Sequence, residues 1–195
     1  MMQKIFIGLI ATIGSFLALV LLQPSEYSVS RTTVMSAPAA TVFAQIDDFH
    51  RWQAWSPWAK RDPAAKASFD GPASGKGAVF AWSGNNEVGA GRMTLTESRP
   101  AEAVTIKTDF VKPFVGTSYS DFSLKAEGSG TAVSWTISGQ HDFIAKAIGL
   151  FVSMDKVLGG EMEKGLASMK QLVEADTKKA GAKLGFYAGL IELTA

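Results

Sequence analysis

The chain has 195 residues, of which 47% are hydrophobic and 19% are charged, and its formal net charge is +1. This length and composition suit one globular domain with a hydrophobic core, and the near-neutral charge gives no electrostatic basis for nucleic-acid binding. The chain contains no cysteine, which excludes disulfides, thiolate metal sites, cysteine nucleophiles and lipid attachment to cysteine.

An uncharged apolar segment opens the chain, beginning at Ile5 and ending at Leu22 (IFIGLIATIGSFLALVLL). As a helix rising about 1.5 Å per residue, it would be roughly 27 Å long, close to the thickness of a bilayer core. The sequence therefore predicts a single-pass anchor and short linker over residues 1–25. Lys4 precedes the segment and Glu26 is the first charge after it, so the positive-inside tendency predicts an extracytoplasmic domain.

Two other interpretations of this segment stay open. A cleaved signal peptide has a shorter apolar region followed by a small-x-small cleavage site, whereas this segment ends in LLQP. The third interpretation is a helix buried in the core of a soluble domain.

The first half of the following domain mixes strand and helix patterns. Alternation of polar and apolar residues predicts a strand over residues 27–35, and Pro38 suits the first turn of a helix. Trp52 and Trp55, three residues apart, share one face of a helical turn, which Pro57 forces to end.

Strands dominate the middle of the chain, separated by turn-like sequences rich in Gly, Ser and Asn. The predicted strands cover residues 67–70, 77–82, 89–97, 103–110, 117–126 and 131–138. Their short connections predict an antiparallel meander, because parallel strands need crossovers of about a dozen residues or more.

The pattern becomes helical from His141, where Asp142 is of a type that caps helices. We expect Gly159-Gly160 to mark a kink, and Gly165 to permit close approach by the sheet or a ligand. A long amphipathic helix is predicted from apolar residues at three- and four-residue steps: Leu158, Met162, Leu166, Met169 and Val173. A curved sheet wrapped around this helix is the compact solution for an α+β chain of this order.

A series of short sequence motifs lies in a characteristic order between about residues 27 and 176. No single motif is specific, but the whole series is. The motifs are SR at 30–31, AP at 37–38, WSPW at 55–58, DP at 62–63, WSG at 82–84, GAG at 89–91, TAVSW at 131–135 and GL at 165–166. In this series the chain resembles the SRPBCC superfamily (START-like, birch-pollen-allergen-like), and within it the polyketide cyclase/dehydrase-type branch.

The resemblance implies a helix-grip domain over residues 26–177, in which a curved antiparallel β-sheet is wrapped around a long C-terminal helix. It also implies a hydrophobic cavity between the two. Members of the superfamily bind lipids, sterols, polyketides or other apolar molecules, and only some are enzymes.

Candidate cavity residues follow from sheet parity and from the helix stripe. They are Trp55, Phe80, Trp82, Met93, Phe110, Tyr119, Trp135, Phe151, Met162, Leu166 and Met169. A structural interpretation competes with this one: the tryptophan cluster closes one end of the sheet, and the methionine stripe is ordinary core.

Residues suited to catalysis are few, and no catalytic residue is assigned. His50 lies beside Asp47 and Asp48, a sequence that fits helix capping, and His141 precedes Asp142. Two histidines without a ligand cluster predict no metal site, and no cofactor is predicted.

The sequence thus predicts a membrane-anchored, non-catalytic protein whose partner is an apolar small molecule or lipid. One alternative is a polyketide cyclase/dehydratase-like enzyme acting on an apolar substrate in the same cavity; another is an interaction module with a filled interior. The C-terminal tail, residues 178–195, has lysines before an apolar end. This sequence suits a segment that lies on a membrane surface. It equally suits one that packs on the domain or one that makes no contact with it.

Overall fold

The computed structural model describes the backbone of residues 2–193 and the side chains of residues 2–183. The helices are α1 (Met2–Leu22), α2 (Ala39–Ile46), α3 (Trp52–Trp55), α4 (Phe143–Gly149) and α5 (Met154–Leu193), with a 3-10 turn at Phe49–Arg51. The strands are β1 (Glu26–Met35), β2 (Lys66–Asp70), β3 (Val79–Ser83), β4 (Ala90–Arg99), β5 (Ala103–Lys112), β6 (Gly116–Glu127) and β7 (Gly130–Gln140).

All seven strands form one antiparallel sheet in the order β1-β7-β6-β5-β4-β3-β2. The six later strands follow one another as the predicted meander, and β1 joins at the β7 edge. At one end of the sheet Glu26 pairs with Gln140, and Phe110 pairs with Gly116 beside the β5–β6 turn. We call this the α1 end, because α1 leads into β1 there.

Helix α5 lies across the inner face of the sheet and runs away from the α1 end. Arg31 in the middle of β1 contacts Asp155 at the start of α5, and the amide of Ser36, just after β1 ends, donates to Glu174 near the middle of α5. The predicted apolar stripe is confirmed: its members are fully buried apart from half-buried Leu158. A curved sheet holding one long helix is the helix-grip fold.

The tryptophan cluster joins α2 to the centre of the sheet. The indole N–H of Trp52 donates to the Ile46 carbonyl at 2.9 Å, and that of Trp55 donates to the Gln45 carbonyl at 3.0 Å. These are final carbonyls of α2, which have no partner within the helix. The Trp55 ring also packs edge-on against Trp135, with centroids 5.9 Å apart. The cluster therefore caps α2 and fills the interior at once.

Arg31 fastens β1 to the beginning of α5. Its Nε donates to Glu163 at 2.6 Å and its Nη1 to Asp155 at 2.8 Å, and hydrogen bonding with Arg31 lowers the pKa of the Asp155 carboxyl. Gly159 lies directly beneath the guanidinium, where a Cβ would collide with Nη2. Helix α5 continues through both glycines, so the kink stays a prediction, and Gly159 makes room for Arg31.

The predicted capping residues are confirmed. Asp47 is the C-cap of α2, and Asp48 accepts a hydrogen bond from the His50 amide at the start of the 3-10 turn. Asp142 accepts from the Ala145 amide at 2.7 Å and so caps α4.

The C-terminal segment begins inside a helix, because α5 continues beyond residue 177 to Leu193. This part of α5 is remote from the α1 end. The side chains of the apolar sequence at 184–195 lie outside the described residues, so the three interpretations of the tail remain predictions.

Two glycines of α5 offer a matched pair of substitutions. A Cβ at Gly160 would meet nothing within 4 Å, whereas one at Gly165 would lie 3.0 Å from Pro57 and 3.2 Å from Trp135. We expect Gly160→Ala to raise the free energy of unfolding by up to about 1 kcal/mol through helix propensity. We expect Gly165→Ala to lower it by about 1–3 kcal/mol through overpacking. Urea unfolding of the chain from residue 26 onward measures both, and equal gains would contradict the close contact.

The capping role of the tryptophans predicts a further difference. Trp55→Phe removes the donor to the buried Gln45 carbonyl, and we expect a loss of about 1–3 kcal/mol in the free energy of unfolding. Trp58, half-buried and edge-on to Trp135, is the control, and Trp58→Phe should cost less. The same urea unfolding measurement compares them, and a larger loss at Trp58 would contradict the capping role.

Candidate functional site

An open groove of about 1080 Å³ lies at the α1 end of the sheet. Its lining comes from the first residues of β1, from β5, β6 and β7 near that end, from the β5–β6 turn and from α4. Among the described residues that line it, none belongs to α5. The groove therefore lies at the end of the sheet rather than between the sheet and the long helix.

One side of the groove is a polar row across four strands. Ser28 pairs with Ser138, Ser138 with Tyr119, and Tyr119 with Lys107. These positions alternate along their strands with buried ones such as Ile137, so the row lies on the outer face of the sheet. Hydroxyl and ammonium groups here can hydrogen-bond a polar group of a bound molecule.

The positive charge in this row, on Lys107, is paired with the carboxylate of Asp109. Lys107 Nζ lies 2.9 Å from the Asp109 carboxylate, and the Thr117 hydroxyl donates to the same carboxylate at 2.8 Å. The hydrogen bond from Lys107, followed by that from Thr117, lowers the pKa of Asp109. The carboxylate therefore stays ionised at neutral pH and partly neutralises Lys107.

The other sides of the groove are apolar. Phe110 lies on the inner face where β5 ends, so the groove extends around the end of the sheet from its outer face. Phe114 and Val115 form the following turn. Ile144 and Ile148 face the groove from α4, four residues apart and so on one side of that helix. The groove thus combines a polar row with apolar walls.

Tyr27 and His141 form a stacked pair within the groove. Their ring centroids are 4.9 Å apart, and the His141 amide donates to the Ser25 carbonyl at 2.7 Å. A Cβ at Gly139 would lie 2.7 Å from the Tyr27 hydroxyl, so this glycine lets the phenol lie close to β7. Burial raises the pKa of Tyr27, and a hydrogen bond with Ser118 offsets part of that rise.

The predicted cavity residues fall into distinct places. Phe110 and Tyr119 line the groove, while Phe151 is exposed in the connection between α4 and α5. Phe80, Trp82 and Met93 are partly buried on β3 and β4. The remaining five, Trp55, Trp135, Met162, Leu166 and Met169, are fully buried in the core. As a ligand site the whole set stays a prediction.

Sequence reasoning did not select Ile144, Ile148, Tyr27 or His141 for this site. A signal was present for the isoleucines, because two apolar residues four apart on a short helix form a stripe. No periodicity in the sequence indicates that α4 lies beside the β5–β6 turn.

His50 lies away from the groove, in a shallow depression of about 210 Å³. Its ring stacks on Phe69 at 4.0 Å, and its Nδ1 lies 2.8 Å from the Asp48 carboxylate. Burial acts to raise the pKa of Asp48, but hydrogen bonds from His50 outweigh it and lower the pKa. Across the described residues, no cluster of three or more His, Asp or Glu side chains is placed to hold a metal ion.

An antiparallel sheet around a C-terminal helix, with a groove at one end, defines a helix-grip protein of the α+β class. The sequence profile of one family, described as polyketide cyclase / dehydrase and lipid transport, matches residues 26–174. The chain belongs to this family, which lies within the SRPBCC superfamily. The family description indicates hydrophobic-ligand binding. Comparison with curated proteins gives no match.

Solved structures share the fold at low sequence identity. Protein CV1439 from Chromobacterium violaceum is 16% identical, with a TM-score of 0.54 over 75% of this chain and 96% of that one. The Aha1 dimer from Colwellia psychrerythraea is 16% identical, with a TM-score of 0.55 over 76% and 96%. Ara h 8.0201 is 9% identical, with a TM-score of 0.51 over 79% and 99%. At these identities the likeness establishes the fold alone.

The environment of Tyr27 predicts a late-titrating phenol. Tyr27 should ionise above the usual pKa of about 10, because burial favours its neutral form. Because the pKa of Tyr27 is higher in the folded state than in the unfolded state, the neutral phenol contributes to the stability of the fold. This contribution is fully present below the unfolded-state pKa and is lost as pH rises through the folded-state pKa. Tyrosinate absorbance measures it: Tyr27→Phe should remove the late component. A late component that survives Tyr27→Phe would contradict the assignment.

Proposed function

We propose that the chain is a membrane-anchored, non-catalytic protein that binds an apolar, lipid-like molecule in the groove at the α1 end. The observation that carries the proposal is the groove itself, with a polar row on one side and apolar walls on the others. A molecule with one polar group and an apolar body matches both kinds of surface.

The size and the walls of the groove support a small ligand. Ligand pockets in proteins commonly have volumes of about 300–1,000 Å³ and are lined mainly by apolar side chains with a few polar groups. The groove has about 1080 Å³, and Phe110, Phe114, Ile144 and Ile148 supply apolar surface. The description of the family, which includes lipid transport, supports the same class of ligand.

The properties of α1 support the anchor. Its most apolar 18-residue window has a mean hydropathy of 2.7, and 6% of that window is buried. Val20 is the buried residue of this helix. A helix that is apolar on all sides and almost wholly exposed suits lipid as its surroundings. A signal sequence near the N-terminus can also be long and apolar enough to pass as a membrane span, and the intact mass of the protein from the membrane fraction distinguishes the two. On the proposed anchor, Lys4 and Glu26 support an extracytoplasmic domain.

A catalytic function is the second candidate, favoured by one specific observation. His141 and Tyr27 both line the groove, and the pKa of Tyr27 is raised by burial, as is common for groups at active sites. A cyclase or dehydratase would change its ligand, for example with the loss of water. Mass spectrometry of a bound molecule after prolonged incubation separates the two functions, since a binding protein returns it unchanged.

Occupancy of the groove is tested with the chain from residue 26 onward. We expect native mass spectrometry, after exposure to lipid vesicles, to detect one apolar molecule per protein. Ile148→Arg should abolish this occupancy, because it places a charge in an apolar wall. Val157→Arg is the matched control: Val157 and Ile148 are 49% and 50% exposed, but Val157 does not line the groove.

The pattern across the variants decides between site and surface effects. Loss of the molecule in both variants would indicate general adhesion to apolar surface. A parent protein that carries no apolar molecule would contradict the proposed function, whatever the variants show.

A further inference from the structure

The exposed apolar side chains of the domain are unevenly distributed. Within residues 26–183, the large apolar side chains that remain exposed lie mainly at the α1 end, apart from Val34 and Phe69. Single exposed apolar residues are normal, but clustering at one end marks an interaction surface.

Six of these residues form what we call the apolar rim. They come from the β5–β6 turn, from α4 and from the connection that follows α4: Phe114, Val115, Ile144, Ile148, Phe151 and Val152. Val115 and Phe151 are 83% and 81% exposed, so they make almost no contact with the rest of the domain. Four of the six also line the groove, and the rim therefore borders its opening.

Helix α1 joins the domain at the same end, through its C-terminal residues. Only residues 23–25 separate Leu22 from the first residue of β1, so these two residues are at most roughly 14 Å apart when the link is extended. The last turn of α1 packs on the domain through Val20, and α1 contacts α4. The part of the rim that lies on α4 therefore adjoins the root of α1.

We propose that the apolar rim docks into the surface of the bilayer that holds α1. The proposal rests on the anchor proposed above, and it commits to the lipid leaflet as the occupant because α1 and α4 are in contact. Docking brings the opening of the groove to the level of the lipid headgroups. A lipid-like molecule then passes between leaflet and groove without crossing bulk water.

The absence of cysteine makes the rim accessible to single-site labelling in the full chain. Val115→Cys and Phe151→Cys each place one label on the rim, at positions whose exposure makes misfolding an implausible outcome. Glu127→Cys, at the opposite end of β6, is the aqueous control, and Leu17→Cys in α1 is the bilayer control. Each variant carries a polarity-sensitive fluorophore and is reconstituted in phosphatidylcholine–phosphatidylglycerol vesicles.

We expect the labels at positions 115 and 151 to emit at shorter wavelength than the label at 127. Compared with the label at 127, we also expect them to be quenched less by aqueous iodide and more by lipids that carry bromine in their acyl chains. If α1 stays in the vesicles through carbonate extraction, yet both rim labels behave like the label at 127, the docking proposal is overturned and the anchor stands. If carbonate extracts the full chain, the anchor and the docking proposal fail together. Ligand occupancy is measured separately, so neither result depends on it.

Discussion

The close approach of α5 to the sheet at Gly165 determines where this domain is filled and where it is open. Without a side chain at this position, Pro57 and Trp135 lie against the helix backbone. The aromatic rings of Trp55, Trp135 and Phe122 then occupy the space between α5 and the sheet. Interiors packed to this degree leave little room for a ligand. The groove lies outside this packing, at the α1 end of the sheet.

Local rules predicted most of the secondary structure. Alternation indicated the strands, and the 3.6-residue periodicity indicated the buried stripe from Met162 to Val173, because each pattern depends only on neighbours along the chain. The capping roles of Asp48 and Asp142 followed in the same way. The sheet order with β1 beside β7 follows from no local pattern, because it pairs strands that lie far apart in the sequence.

The site was less predictable, for a physical reason. Whether Trp135 and Met162 line a cavity or fill a core depends on how closely α5 approaches the sheet, and that distance is set by contacts between residues far apart in sequence. The position of α4 beside the β5–β6 turn is likewise a tertiary property. Gly159 illustrates the limit: the close approach that it permits is to Arg31, which lies more than a hundred positions earlier in the sequence.

The location of the groove has a consequence for how a ligand would be captured. A soluble binding protein meets a sparingly soluble molecule by diffusion through water, where its concentration is very low. On the proposed topology, a link as short as residues 23–25 keeps the groove beside the leaflet in which such a molecule is concentrated. Tethering of this kind replaces encounter in bulk water by encounter at a high effective concentration. A groove at the opposite end of the sheet, near Glu127, would gain nothing from the tether. On the proposed topology, the observed groove gains from the tether because it lies at the α1 end, beside the anchor.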